Sequence, residues 1–252
     1  RAYYYFELVK FFGDVPLAVD QRLLFGDQNT VDRTPAQEVY AQIELDLIFA
    51  ADNLPLTQTQ TGRVTKGAAQ ALLGKVYLYQ NKFALAAPVL DDVISSGVYD
   101  LVADYSTLFE NDNENSIESV FEIQYTDVEG AGFGCLQCSE GNVAIGFNGP
   151  RNFNGPLFES GFSFNVPTQE VFDAFDQDDA RREFAILDIV AFAQANTDFN
   201  GGAGVTFTEG FEHTGYFNRK YIPRVGDTNI GDQNLTNPGN YRAIRFADVL
   251  LM

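Results

Sequence analysis

The stretch from Gly62 to Tyr99 leaves the chain the fewest choices. Ala69, Leu72, Leu73, Val76 and Tyr77 recur at i, i+3, i+4, i+7 and i+8, which puts them on one face and predicts a helix over Thr65–Gln80. Phe83, Ala86, Ala87, Leu90 and Ile94 keep the same period and predict a second helix over Lys82–Ser96. Little more than Asn81 separates the two, so they must fold back on each other as an antiparallel hairpin. Gly97 stands where the second helix needs a left-handed residue to end it. Pro88, inside that helix, is expected to kink it.

The spacing of this hairpin is that of a tetratricopeptide unit. With Leu73-Gly74 in the Leu-Gly slot, Tyr77 falls on the Tyr slot and Ala86 on the small-residue slot, where a short side chain lets the helices approach closely. The match is partial: Gln70 stands where Trp is usual, Val93 where Ala is usual, and no Pro closes the unit. Upstream, Thr34-Pro35-Ala36-Gln37 offers a cap, a first-turn proline and a capping-box glutamine. Ala36, Tyr40, Ile43, Leu47, Ala50 and Leu54 then form the apolar stripe of a helix that Pro55 ends. Arg1–Phe12 reads as the end of another helix, stopped by Gly13-Asp14-Val15-Pro16-Leu17.

These faces have partners to pack against, since 45% of the 252 residues are hydrophobic, with 23 Phe and 12 Tyr. The balance of 16 basic to 35 acidic residues, net −19, repels nucleic acid and anionic membrane surfaces, so neither is an expected partner. Solubility accounts for most of that charge. No apolar run is long enough for a signal peptide or a span. Both ends fall inside amphipathic runs, at Arg1 and at Met252, so the chain is expected to be a fragment of a longer one. The single histidine, His213, has no nucleophile signature around it and reads as a surface or strand residue. Cys135-Leu136-Gln137-Cys138 lies among glycines rather than opening a helix, and only His213 is left to join it, short of a structural zinc set. A loop disulfide and two free thiols both stay open.

After Tyr99 the pattern changes. Asn111–Asn115 reads as a polar turn, Ser119–Tyr125 alternates as a short strand, and Thr126–Val166 is rich in Gly, Asn and Phe without helical period. A long irregular segment in a compact protein is often functional. Pro167–Phe175 begins a helix with Thr168 as cap, Phe184–Phe192 and Tyr216–Ile222 read as strands, and Tyr241–Met252 begins a final helix. The expected organisation is one domain: a helical core with a terminal strand over 1–125, a loop-rich ligand face over 126–240, and a returning core helix over 241–252.

Several stretches together resemble one family, the SusD/RagB nutrient-binding outer-membrane lipoproteins of Bacteroidetes. They are Phe11-Phe12-Gly13-Asp14-Val15-Pro16-Leu17, Gly62-Arg63-Val64-Thr65-Lys66-Gly67-Ala68-Ala69, and Leu72-Leu73-Gly74-Lys75-Val76-Tyr77-Leu78. Ile94-Ser95-Ser96-Gly97-Val98-Tyr99, Glu118-Ser119-Val120-Phe121-Glu122-Ile123, Arg219-Lys220-Tyr221 and Ile244-Arg245-Phe246-Ala247-Asp248 follow in the family's order. The resemblance implies a mainly α fold of tetratricopeptide-like hairpins, an α-α superhelix with a loop-rich face and a few short strands. It also implies a non-catalytic lipoprotein on the extracellular face of the outer membrane, which captures glycan and passes it to a SusC-like TonB-dependent channel. The family's lipidated N-terminal Cys is missing here, and Cys135 and Cys138 are internal.

The family's motifs describe scaffold, so chemistry must choose the site. A neutral sugar needs flat aromatic faces for its C–H surfaces and amide or guanidinium donors for its hydroxyls. Phe147, Asn148, Arg151, Asn152, Phe153 and Asn154 form the densest such mixture, on a Gly/Pro loop, with Tyr125 and Phe133 as further candidates. The plainer alternative is a structural loop with Phe153 packed inward. No cofactor is expected. A structural calcium is considered at Asp227–Asp232 and at Asn111, Asn113 and Asn115 with Glu122; both patterns lack an EF-hand's full ligand set and read as Asx turns. An interaction scaffold of the transporter complex, binding a peptide or non-glycan nutrient, is the alternative function. A glycoside hydrolase is the third; Asp173, Asp176, Asp178 and Asp179 cluster at a helix end, where a solvated face is the plainer reading.

Overall fold

A computed structural model describes residues 1–20, 22, 24–27, 30–128, 140–227 and 237–252. Phe133, Cys135, Cys138 and the Asp227–Asp232 loop beyond Asp227 lie outside the described residues. The first half carries α1 (Ala2–Phe12), α2 (Ala36–Asn53), α3 (Lys66–Tyr79), α4 (Phe83–Ser95) and β1 (Ser119–Ile123). The second half carries α5 (Val143–Gly146), β2 (Arg151–Asn154), α6 (Gln169–Asp173), α7 (Arg181–Ala185), β3 (Ile186–Asp188) and α8 (Ile189–Ala195). It ends with α9 (Phe199–Gly202), β4 (Thr206–Thr208), β5 (Tyr216–Asn218), β6 (Tyr241–Arg245) and α10 (Phe246–Leu251). The fold is mainly α, with short two-stranded pairings β1–β6, β2–β4 and β3–β5. No described helix is long and apolar enough to cross a membrane.

The chain forms two compact units: 1–101 with 117–122 and 242–252, and 102–116 with 123–241. The first is helical, and α3 runs through its middle, with α2 on one side and α4 on the other. Burial follows: from Gly67 to Gly74 every residue of α3 is buried. Its two glycines allow that packing. A Cβ on Gly67 would overlap the Tyr99 ring, and one on Gly74 would sit 2.6 Å from Leu90 Cγ. The Leu-Gly slot is therefore where α4 presses closest, and Ala86 is buried opposite, as the hairpin spacing requires. Thr65 caps α3, its Oγ1 accepting from the Ala68 N–H at 3.2 Å. Gly97 has φ 68°, the left-handed end expected of it, and α4 runs through Pro88 as one element. At the hairpin's tip Gln80 and Lys82 both donate to Glu44 Oε1, which ties the turn to α2.

Three expectations for this unit are corrected. The start of α2 is capped by Asp14, whose Oδ1 accepts from the Ala36 N–H at 2.8 Å, while Thr34 pairs with Val15 as an isolated bridge. A carboxylate distant in sequence has taken the place of the local cap. The buried stripe of α2 is Val39, Ile43, Leu47 and Ala51, one residue from part of the predicted set, with Ala36 and Tyr40 only partly covered. Tyr241–Arg245 is a strand, not the start of a helix; it pairs with β1, and the helix begins at Phe246. Two ion pairs link these strands: Arg242 with Glu122 at 3.6 Å, both buried, and Arg245 with Glu118 at 2.9 Å.

The second unit packs around Phe153, Phe158, Leu187, Ile189, Phe217 and Ile222. Two predicted strands shrink here. Of Phe184–Phe192 only Ile186–Asp188 is extended, and Tyr216–Ile222 turns helical after Asn218. The strands β3 and β5 pair antiparallel, with Leu187 opposite Phe217 in the core. The asparagine content has a backbone cause: Asn115, Asn152, Asn165 and Asn200 all hold positive φ, the region that asparagine tolerates better than most residues.

Candidate aromatic binding face

The predicted loop is built from two segments laid side by side. Helix α5 ends at Gly146, Phe147 follows it, and the chain returns at Gly161–Phe164. Backbone hydrogen bonds run from Gly161 to Pro150 (2.9 Å), from Ser163 to Gly149 (2.8 Å) and from Phe164 to Phe147 (3.2 Å). The approach is close: any Cβ on Gly161 would collide with the Asn148 carbonyl oxygen. Asn148 is buried and locks the turn, donating from Nδ2 to the Ala144 carbonyl at 2.8 Å and accepting from Asn165 Nδ2 at 3.3 Å.

This pairing gathers three phenyl rings. Phe147 meets Phe162 edge-on at 5.4 Å and Phe164 at 5.7 Å. The guanidinium carbon of Arg151 lies 5.5 Å from the centroid of Phe162 and 6.0 Å from that of Phe164, within cation–π range. Phe164 is 55% exposed, while Phe147, Phe162 and Arg151 are half-buried. The cluster thus offers water an apolar face bordered by a planar donor. That combination suits a sugar, whose C–H face stacks on a ring while its oxygens accept from the fork.

The structure sorts the predicted residues. Phe147 and Arg151 belong to the face. Asn148 is a structural residue beneath it. Asn152 and Asn154 are exposed on β2; Asn152 donates from Nδ2 to Thr208 Oγ1 at 3.1 Å, and Asn154 pairs with Thr206. Phe153 is corrected. It is buried among Phe158 and Phe192, so the alternation of β2 turns it into the core and away from any ligand. Tyr125 is 37% exposed, held through its backbone N–H by Asn240 Oδ1 at 2.9 Å, and shares no ring contact with the face. Phe162 and Phe164 were not predicted. Their signal was the Phe-x-Phe alternation of Gly161-Phe-Ser-Phe-Asn165.

Other candidates carry less. The first unit has a cavity of about 550 Å³ lined by Ala2, Leu47, Phe49, Ala68, Leu72 and Phe121. Its charged groups, Arg1 and Asp46, are bound to each other at 2.5 Å, which leaves few hydrogen-bonding groups for hydroxyls. Among the described residues no group of three or more His, Cys, Asp or Glu side chains converges as a metal site. Asn113 donates to the Thr107 carbonyl, Asn115 and Gln124 exchange two hydrogen bonds, and Glu122 is taken by Arg242 and Ser119. Of the clustered aspartates, Asp173 accepts from Gln169, and Asp179 is bound to Arg181 at 2.6 Å; that hydrogen bond holds its carboxyl down at about 2, unsuited to a general acid. His213 packs between the rings of Phe207 and Phe217.

Comparison with known proteins places this architecture. A SusD-like family model, described as starch-binding associating with outer membrane, matches residues 1–78. The SusD-like protein P2 of Formosa agariphila is 28% identical over the whole chain, and a SusD-like protein of Bacteroides ovatus is 32% identical over half of it. The chain spans about half the length of the first of these and about a quarter of the second (49% and 24%). Among solved structures, a laminarin binding SusD-like protein is 37% identical with a TM-score of 0.87, covering all of this chain and 56% of its own. Surface glycan-binding protein A of Bacteroides thetaiotaomicron, solved in complex with laminarihexaose, is 26% identical with a TM-score of 0.85, covering all of this chain and 54% of its own. Sequence and fold agree along the full 252 residues: this chain belongs to the SusD-like family, and it spans about half the length of the relatives that it matches from end to end.

Proposed function

We propose that this protein is a non-catalytic glycan-binding protein of the outer-membrane surface, and that it holds its glycan on the face formed by Phe147, Phe162, Phe164 and Arg151. The observation that carries the reading is the likeness along the whole of this chain, at 37% identity, to a laminarin binding SusD-like protein. The aromatic and guanidinium face supplies the chemistry such a role needs. Delivery to a TonB-dependent channel follows from the same family membership and is part of the proposal. No cofactor has a role in it.

Affinity electrophoresis against laminarin and a panel of other polysaccharides tests the binding. Retardation by at least one, with its mass unchanged and no reducing sugar released, is the expected result. Phe164→Ala is expected to weaken that binding about tenfold, the loss of one exposed aromatic anchor. Release of reducing ends would overturn the non-catalytic reading. Retardation that Phe164→Ala leaves untouched would move the site elsewhere. Co-purification of a β-barrel protein with the chain tests the delivery role.

A further inference from the structure

Arg151 is the part of the face that an uncharged sugar leaves underused. Its backbone N–H donates to Ser163 Oγ at 3.2 Å, but its guanidinium has no ion pair or hydrogen bond among the described residues. The other described arginines of the second unit are all engaged. Arg181 is bound to Asp179 at 2.6 Å and Arg224 to Glu110 at 2.8 Å. Arg219 donates to the Glu183 carbonyl at 2.8 Å and Arg182 to the Gln177 carbonyl at 3.3 Å. In a chain of net charge −19, a half-buried guanidinium with neither an ion pair nor a hydrogen bond among the described residues is out of pattern.

The two rings explain how it is held. Contacts at 5.5 and 6.0 Å to the centroids of Phe162 and Phe164 position the cation without using its five N–H donors. The hydroxyls of a neutral sugar bring protons that need acceptors, whereas the polar group touching these rings is a donor alone. An oxyanion is the complementary partner, since a guanidinium fork matches carboxylate and sulfate oxygens in geometry as well as charge.

Resting on the glycan-binding reading above, we infer that this face takes a sugar unit carrying an oxyanion, a uronate carboxylate or a sulfate ester. The C–H face of the sugar lies on Phe164 and the oxyanion on the free edge of Arg151. The overall negative charge slows the approach of such a ligand but does not forbid it. At physiological salt the repulsion is screened beyond about 8 Å, while the contact pair is not.

The test is titration calorimetry with oligosaccharides of laminarin (uncharged), alginate (uronate) and carrageenan (sulfate ester), at about 50 mM and about 500 mM salt. At low salt alginate or carrageenan is expected to bind at least about tenfold more tightly than laminarin, the worth of one charge-assisted hydrogen bond, and the tighter of the two names the oxyanion. Arg151→Gln should reduce that advantage, Arg151→Lys, which keeps the charge but loses the fork, should retain part of it, and high salt, which screens the long-range repulsion before the contact pair, should leave it in place. Laminarin bound as tightly as either anionic glycan would overturn the inference while leaving the glycan-binding reading in place. An anionic preference that survives Arg151→Gln would overturn it as well. Failure to bind all three would overturn both.

Discussion

Replacing Arg242 with methionine tests what holds the end of the described chain in the first unit. Arg242 and Glu122 face each other from β6 and β1 with side chains only 3% and 1% exposed, and their charged atoms are 3.6 Å apart. That distance is long for a hydrogen bond, so their attraction is mainly Coulombic. Ser119 also donates to Glu122, and the Arg245–Glu118 pair lies alongside at 2.9 Å. Methionine keeps most of the apolar stem of arginine, so the change removes charge more than packing. It removes the Arg242 charge from beside a carboxylate that stays buried, a loss of about 3–5 kcal/mol. Against a typical domain stability of about 5–15 kcal/mol, that is a large fraction.

The double variant Glu122→Leu with Arg242→Met separates the cost of a broken pair from the worth of an intact one. With both charges gone, neither ion of this pair is left to desolvate, and such replacements are often neutral or stabilising by about 1–4 kcal/mol. The second substitution is therefore expected to restore what the first removes. Urea unfolding followed by circular dichroism measures both. At an m-value of about 2 kcal/mol per molar, the single variant should lower the midpoint by roughly 2 M, and the double should return near the parent. A single variant that loses less than about 1 kcal/mol, or a double variant as unstable as the sum of its singles, would refute this account of the strand pair.

Three further perturbations have expected outcomes. Gly74→Val puts a branched side chain where Leu90 already sits, so overpacking of about 1–3 kcal/mol should show as a lower thermal midpoint. Phe153→Ala should cost about 3–5 kcal/mol of stability as a core cavity, in contrast to Phe164→Ala, which should weaken glycan binding and leave the urea midpoint nearly unchanged. The Asp46 carboxyl is held below its usual range, chiefly by the hydrogen bond from Arg1, so the pair's contribution is present above the unfolded carboxyl range and lost as pH falls through the lowered folded value. Asp46→Asn should remove that part of the acid limb of the stability–pH curve. Because the pair lies at the surface, with the Arg1 side chain 36% exposed, the effect should stay below about 1 kcal/mol and shrink in salt.

The helical hairpin was legible because its period is local. Ala69, Leu72, Leu73, Val76 and Tyr77 repeat within one element, and the observed α3 and α4 differ from the predicted spans by one residue at each end. The errors begin where a distant residue decides. Asp14 caps α2 from more than twenty positions away, a partner that the text around Thr34 does not contain. Tyr241–Arg245 reads as helix alone, and becomes a strand because β1 supplies the ladder, while Glu122 within it and Glu118 just before it supply carboxylates for the two arginines.

The candidate face shows the same division more sharply, since composition pointed to the loop that carries it and to two of its four side chains. Phe147 and Arg151 were visible as an aromatic and a donor on a Gly/Pro turn. Phe153 looked equivalent to Phe147 in composition, yet the alternation of a four-residue strand sends it into the core. The rings that complete the face, Phe162 and Phe164, arrive from a segment more than ten residues on, brought in by backbone hydrogen bonds that only Gly161 admits. A loop's chemistry can thus be read from its composition, but which of its aromatics faces water depends on pairing. Here a glycine without a side chain, rather than any residue able to touch a ligand, permits the pairing that makes the site.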